Sequence, residues 1–415
     1  MTDHLSMQWT NALSTRPSLE GAVTEVVATI QQSLSHPPDL GIVFISSAYA
    51  SDYTRLVPLI LEKLPLSVLI GCGGAGIIGQ RGQEQAQELE NNPALSLSVG
   101  YLPDVTLQPF LLNAESLPDL DSSPETWHQL LGVSPQQRPH FILLADAFST
   151  RINDLLEGLD FAYPDSIKVG GLTSSSMTGV PSALFYYTTG DQGSGLYHQG
   201  TVGLALSGNI EVEAIVAQGC RPIGQPYQVV QGERNIILEL SQDGNIRPPL
   251  DVLRNLIETL NESDRQLAQH SLFIGIVRDE FQLELQAGDF LIRNLLGVDP
   301  RLGAIAIGDR VRPGQRIQFH LRDAQTSAED LELLLQNYLS SSNLSTSIKG
   351  ALMFACLGRG QNLYGTANFD SERFSHYFPG VSLGGFFCNG EIGPVGKQTF
   401  LHGYTSAFAL FRQPG

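Results

Sequence analysis

Three times along this chain a short run of consecutive apolar residues is followed by a second run that ends in glycines or small polar residues. Gly41-Ile42-Val43-Phe44-Ile45 is followed by Ser67-Val68-Leu69-Ile70, which enters Gly71-Cys72-Gly73-Gly74-Ala75-Gly76. Residues 141–145 are followed by Ile167-Lys168-Val169-Gly170-Gly171 and a Thr/Ser-rich loop, and residues 351–356 by 381–387 and Cys388-Asn389-Gly390-Glu391. Apolar residues that do not alternate mark strands covered on both faces. Each pair has a closing strand, at 95–99, at 201–206 and within 400–410. The pattern predicts an α/β fold of repeated βαβ-type units, forming mixed sheets covered by helices. Cys72 and Cys388 fall at similar points of their units.

Helical spacing is clearest at Leu19, Ala22, Val23, Val26, Val27, Ile30 and Leu34, with Ser18 as the cap and Pro37-Pro38 as the stop. Further helices are expected at 51–64, 153–159, 250–260 and 327–338, and a short one begins at Pro124 behind Ser123. At 415 residues two domains are expected. The stretch 219–232, punctuated by Pro222, Gly224, Pro226 and Gly232, reads as their boundary.

A formal charge of −18 repels a polyanion, and no Lys/Arg cluster offsets it, so nucleic acid is excluded as a partner. No apolar run is long enough to span a membrane, and the polar N-terminus carries no signal-peptide pattern. Cys72, Cys220, Cys356 and Cys388 are widely spaced, with no CxxC pair, which fits a reducing cytoplasm.

Gly71, Gly73 and Gly76 match GxGxxG, but Gly79 and Gly82 follow at once and argue against the helix that a dinucleotide site requires. Gly380-Val381-Ser382-Leu383-Gly384 matches a nucleophile elbow, yet Ser382 opens a strand rather than a turn into a helix. Gly393 to Lys397 lacks phosphate-loop spacing, and Gln398 replaces the metal-binding hydroxyl. None of the nine histidines stands at HExxH or with cysteines at zinc spacing. No catalytic residue and no metal site are assigned.

The richest polar cluster is C-terminal. Gly358, Arg359 and Gly360 leave one strand, Cys388, Asn389, Gly390 and Glu391 leave another, and His402 lies on the next. Loops beyond strand carboxyl ends meet where ligands bind in α/β sheets. An arginine between glycines suits an anionic group, while Asn389 and Glu391 suit an amine or hydroxyl, so an amino acid or similar zwitterion fits. A competing reading pairs Arg359 with Glu391. Arg293 and Arg310 are assigned to the same crevice, with surface ion pairs as their alternative.

The runs Arg293-Asn294-Leu295-Leu296-Gly297-Val298-Asp299 and Gly308-Asp309-Arg310-Val311-Arg312-Pro313-Gly314 resemble the C-terminal half of FIST domains. So do Cys356-Leu357-Gly358-Arg359-Gly360 and the string from Gly385 to Pro394. Val43-Phe44-Ile45-Ser46-Ser47 and the Ile70-to-Gly76 loop resemble the N-terminal half. The resemblance divides the chain into an N-terminal helix at 1–38, a FIST N-terminal module at 39–225 and a FIST C-terminal module at 226–415. It implies a sensory input module that binds a small molecule, with amino acids as proposed ligands. Some members are haem proteins that sense nitric oxide, and His198, His320, His376 and His402 are the histidines available for that alternative. No F-box is read in the first 38 residues and no output domain after residue 410, so a separate signalling protein is the expected partner. A third alternative, a thiol enzyme, rests on Cys388 beside Asn389 and Glu391 with His402 nearby.

Overall fold

A computed structural model describes residues 6–82, 84–191, 193–282, 284–285, 287–341 and 347–414. They form an α/β fold in two compact units, one of residues 1–216 with 332–415 and one of residues 217–331. The units differ in kind from the consecutive sequence modules expected at 39–225 and 226–415, because the first unit draws on both halves of the chain.

In the first unit the threefold pattern of apolar runs becomes three parallel strand pairs: Leu40–Ser46 with Val68–Gly74, His140–Ala145 with Lys168–Leu172, and Ile348–Cys356 with Ser382–Cys388. Each is the centre of a six-stranded sheet and carries its closing strand antiparallel on one side: Leu95–Tyr101, Thr201–Gly208 and Ser406–Arg412. The third closing strand is shorter than the expected 400–410, because Gln398–His402 is a separate strand in another sheet. A further strand lies outside each closing strand: Gln8–Ser14, Val105–Leu112 and Glu211–Ala217. Each therefore starts a copy in chain order. Gln8–Ser14 precedes the first helix and was hidden in a polar N-terminal sequence.

Gly71, Gly170 and Gly385 fix the equivalence of the copies. They stand opposite Val43, Leu143 and Met353, and a Cβ on any of the three would lie 2.1, 1.8 or 1.9 Å from that residue's carbonyl oxygen. Only glycine tolerates so close a backbone approach. Cys72 follows its glycine by one position and Cys388 by three, so the two cysteines are not equivalent; Gly74 and Thr173 occupy the places that match Cys388.

After the second strand of each pair the chain leaves its own sheet and joins the next. Gly76–Gly79 of copy one pairs with Ser382–Cys388 in the third sheet. Leu184–Thr188 of copy two pairs with Val68–Gly74 in the first, and Glu391–Val395 of copy three pairs with Lys168–Leu172 in the second. The exchange is cyclic. It explains why a glycine-rich turn, and no helix, follows Gly71 and Gly73, and why Ser382 simply begins a strand.

Polar side chains fasten two of the exchanged hairpins. The Glu88 amide donates to Asn368 Oδ1 and the Ser371 amide to Glu88 Oε1, both at 2.7 Å. Thr399 donates through its amide and hydroxyl to Asp160 at 2.6 and 2.8 Å, and the buried Lys168 ammonium meets the same carboxylate at 2.8 Å.

The inner faces of the three sheets share one core. Phe44 stacks on Phe386 at 5.0 Å between ring centroids, and Phe354 meets both edge-on. The helices Leu19–Ser33 and Tyr53–Lys63 cover the outer face of the first sheet, and Pro124–Leu131 and Ile152–Ala162 that of the second. Ser18 caps the first helix as expected, accepting from the Gly21 amide at 3.2 Å.

The second unit follows Glu211–Ala217 in the chain and so interrupts copy three. Its strands Arg221–Glu233, Arg316–Leu321, Leu272–Val277, Phe290–Asp299, Ala304–Ile307 and Ile236–Gln242 pair antiparallel in that order, and Arg221–Glu233 pairs again with Ile236–Gln242. The ring closes into a small barrel. Its interior is filled by residues such as Ile274, Ile305 and Phe319, and the helix Pro249–Thr259 adds Val252, Leu253 and Leu256 to that core. The stretch 219–232, expected as a boundary, lies largely in the long strand that closes this barrel. Its glycine and prolines accommodate a register shift between Ile223 and Tyr227 instead of marking a linker. No helix among the described residues is long and apolar enough to cross a membrane.

Candidate functional site

The carboxyl ends of all three strand pairs lie where the exchanged chains cross. Two crossings are minimal: Ala75 alone joins Val68–Gly74 to Gly76–Gly79, and Asn389 and Gly390 join Ser382–Cys388 to Glu391–Val395. The third, residues 173–183, is much longer and carries Thr173, Ser174, Ser175, Ser176, Thr178 and Ser182. Ser174 ties the crossings together. Its hydroxyl accepts from the Ala75 amide of copy one at 2.8 Å and donates to the Phe387 carbonyl of copy three. The Asn389 amide donates to Leu172 O at 3.1 Å, and Ser47 and Ser176 share a hydrogen bond of 2.9 Å. Phe148 and Met177 stand exposed on the loops of copy two, at 84% and 53%. Ser174→Ala removes both hydroxyl contacts at this junction and is expected to lower stability by about 1–2 kcal/mol in urea melts; an unchanged midpoint would show that the crossings hold without it.

Of the sequence-assigned residues at this end, Asn389 is exposed and Gly358 is half-buried, whereas Arg359, Gly360, Cys388, Gly390, Glu391 and His402 are buried. Arg359 is 0% exposed. Its Nε and Nη2 grip Asp370 at 2.6 and 2.9 Å, and Nη2 also donates to the Tyr364 hydroxyl. Gly360 is buried with it and adopts φ of +60°, and a Cβ there would meet the Glu90 carboxylate at 2.4 Å. Glu391 is equally buried and accepts from the Thr405 amide and hydroxyl at 3.1 and 2.9 Å. Gly390 is enclosed by Leu401 and Leu172. Arg293 and Arg310 belong to the second unit, where Arg293 Nε meets Asp309 at 2.6 Å and Arg310 is exposed. The competing reading that paired Arg359 with Glu391 is corrected as well, since Arg359 pairs with Asp370 and Glu391 accepts from Thr405; Arg293 pairs with Asp309.

The thiol-enzyme alternative finds no support in this arrangement. Cys388 is fully buried, and burial, reinforced by Glu391, pushes its thiol well above the ordinary range, the opposite of an activated thiolate. The ring that would serve as its base is occupied, since His402 Nε2 donates to Gly393 O at 3.0 Å. His320 is fully buried, donates Nδ1 to Gln318 O at 3.1 Å, and is held neutral by burial down to about pH 4. His198 engages Ser182 O, and His376 packs edge-on against Tyr377. No group of three or more His, Cys, Asp or Glu among the described residues is arranged to hold a metal ion.

Two cavities accompany these features, and neither is lined by a histidine. One, of about 540 Å³, lies in the first unit between the end of Gln8–Ser14, the helix Leu19–Ser33 and the turn at Arg81. The other, of about 190 Å³, lies in the second unit beside Tyr227, Arg247 and Asn255. Sequence reasoning missed Arg16 and Arg81, each a single basic residue in a short connection with no motif around it.

The FIST N domain model matches residues 39–243 and the FIST C domain model residues 249–394. The uncharacterized protein Rv0628c of Mycobacterium tuberculosis is 33% identical over 412 residues, covering 96% of this chain and 98% of its own. Human F-box only protein 22 is 32% identical over 115 residues, 23% of this chain and 28% of its own. A solved cyanuric acid hydrolase from A. caulinodans covers 99% of this chain with a TM-score of 0.36 and 7% identity, a likeness too distant to carry an argument. Matched along most of its length by both models, this chain belongs to the FIST family, whose domains are small-ligand-binding sensory domains of signal transduction.

Proposed function

We propose that this protein is a cytoplasmic sensor of a small metabolite, an amino acid or a related compound, that binds at the carboxyl end of the three strand pairs and signals through a separate protein. The observation that carries the reading is the unequal crossings. A cyclic scaffold that closes with one residue in copy one and two in copy three uses eleven in copy two, six of them Ser or Thr. Loops displayed by a rigid scaffold are where binding residues concentrate. The turned-in Arg359, Glu391 and Cys388 support the scaffold, and the reading invokes no cofactor and no chemical step.

A thermal-shift screen of the purified protein against amino acids, organic acids, nucleotides and haem tests it. A ligand at about a hundred times its dissociation constant adds roughly 2.7 kcal/mol, which is expected to move the melting temperature by a few degrees. Stabilisation by one metabolite class supports the sensor. A shift with haem alone would replace it with a gas sensor, and silence across the panel would leave a protein-binding scaffold.

A further inference from the structure

Gln8–Ser14 runs antiparallel to Leu95–Tyr101, which runs antiparallel to Leu40–Ser46, so Ser14 and Ile45 both stand level with Leu95. The cavity of about 540 Å³ therefore opens at the same end of the first sheet as the crossings. Its volume lies within the range of small-molecule sites, about 300–1,000 Å³. Its lining includes Leu13, Thr15, Arg16, Glu25, Thr29 and Arg81, two guanidinium groups against one carboxylate.

That carboxylate is committed. Glu25 accepts from the Ser14 hydroxyl and lies 3.4 Å from Arg16 Nε. Arg81 donates to the neutral Thr15 hydroxyl and has no carboxylate partner among the described residues. The cavity thus carries a net positive charge within a chain of formal charge −18, so its cations are not a general surface property. The backbones that present them are fixed while their heads stay accessible. The Leu13 amide donates to Gln80 O and the Gln80 amide to Asn11 Oδ1, each at 2.8 Å, which sets the turn before Arg81. Tyr49 donates its hydroxyl to Arg16 O, and the Arg16 side chain remains 63% exposed. Tyr49 also lies on the Ser47–Asp52 segment, whose Ser47 bonds to Ser176 of the long crossing.

We infer that this cavity is the ligand site of the sensor and that it takes a small molecule bearing an oxyanion, a carboxylate or a phosphate, held between Arg16 and Arg81. The inference rests on the sensory reading proposed above. Two forked cations on fixed backbones match the two oxygens of a carboxylate or the several of a phosphate. The Thr15 and Thr29 hydroxyls supply neutral hydrogen bonds beside them, and the Leu13 side chain supplies an apolar wall.

The full-length protein is titrated calorimetrically, at low and high salt, with three probe sets: short mono- and dicarboxylates including amino acids, inorganic phosphate with sugar phosphates, and the uncharged amides of the carboxylates. The variants are R16Q, R81Q and, as a contrast at the crossings, N389A. The expected result is a ligand in the carboxylate or the phosphate arm, with affinity falling about tenfold or more in R16Q and in R81Q, falling with salt, and unchanged in N389A. Whichever arm responds identifies the oxyanion. Amides that bind as well as their acids would overturn the oxyanion, and a ligand bound undiminished by both arginine variants would overturn the location, with the sensory reading intact. Loss in N389A alone would return the site to the crossings. A wild-type protein that binds nothing in any arm would overturn the sensory reading and this inference together. Both arginines are exposed enough that their variants should keep the wild-type melting temperature, which separates lost binding from lost folding.

Discussion

Replacing Arg359 by alanine is expected to destabilise the protein by about 3–5 kcal/mol, a loss seen in urea or thermal melts with no ligand present. Arg359 and Asp370 are 0% and 1% exposed and joined by two hydrogen bonds, so removing one partner strands the other's charge out of water. Asp370→Ala should cost a similar amount for the same reason. A double variant that replaces both with apolar residues of similar bulk should recover a large part of the loss, because no charge is then left buried. Arg359→Lys should recover less, since an ammonium cannot reproduce the planar fork that meets both carboxylate oxygens. An Arg359→Ala protein of undiminished stability that had lost only ligand binding would refute the structural role and restore the crevice expected from the sequence.

Glu88→Gln should flatten the dependence of stability on pH between about 4.5 and about 8. Burial, helped by the nearby Asp370 carboxylate, raises the Glu88 carboxyl from 4.5 to about 8, although the Ser371 amide and Arg359 pull the other way. Within that window the folded protein holds a proton that the unfolded chain has released. Stability from this group is therefore complete below pH 4.5 and declines as pH rises through about 8, by about 1.4 kcal/mol per unit. Glutamine imitates the protonated form, still accepts from the Ser371 amide, and has nothing to release. The variant should be more stable than the wild type at pH 8 and similar to it near pH 4.5. His320 works in the opposite sense, since its lowered value makes the unfolded chain the better proton binder between about 4 and 6.5. Parallel curves for wild type and variant from pH 5 to 9 would rule out the buried proton.

The threefold strand pattern was legible because a strand covered on both faces must be apolar throughout, and residues 42–45, 141–145 and 351–356 are nearly so. The exchange between sheets was not. Ala75 between two glycine-rich strands has the composition of a hairpin turn, and nothing local says which sheet receives the outgoing strand. The break in copy three was obscured for a related reason: barrel strands such as Arg316–Leu321 have the same local pattern as strands of the first unit. Arg359 misled because charged residues in glycine loops are usually exposed. Its partner Asp370 lies on Phe369–Tyr377, a helix too polar to announce itself. The cavity joins Arg16 to Arg81 across a first strand whose buried Asn11 and Ser14 made it read as polar surface.

The cyclic exchange also sets a timetable for synthesis. Gly76–Gly79, with Ile77 and Ile78 fully buried in the finished protein, leaves the ribosome early, but its partners Gly385 and Phe386 are near the other end of the chain. At about 5–20 residues per second the wait is tens of seconds. Throughout it the nascent hairpin presents an unpaired apolar edge, the kind of surface that invites pairing with another chain. The first copy cannot complete its own sheet until Leu184–Thr188 arrives, and the second waits for Glu391–Val395. Premature termination anywhere before the last copy therefore releases an adhesive fragment, not a smaller working protein, and a cell that makes this chain must shield its first third until its last third is made.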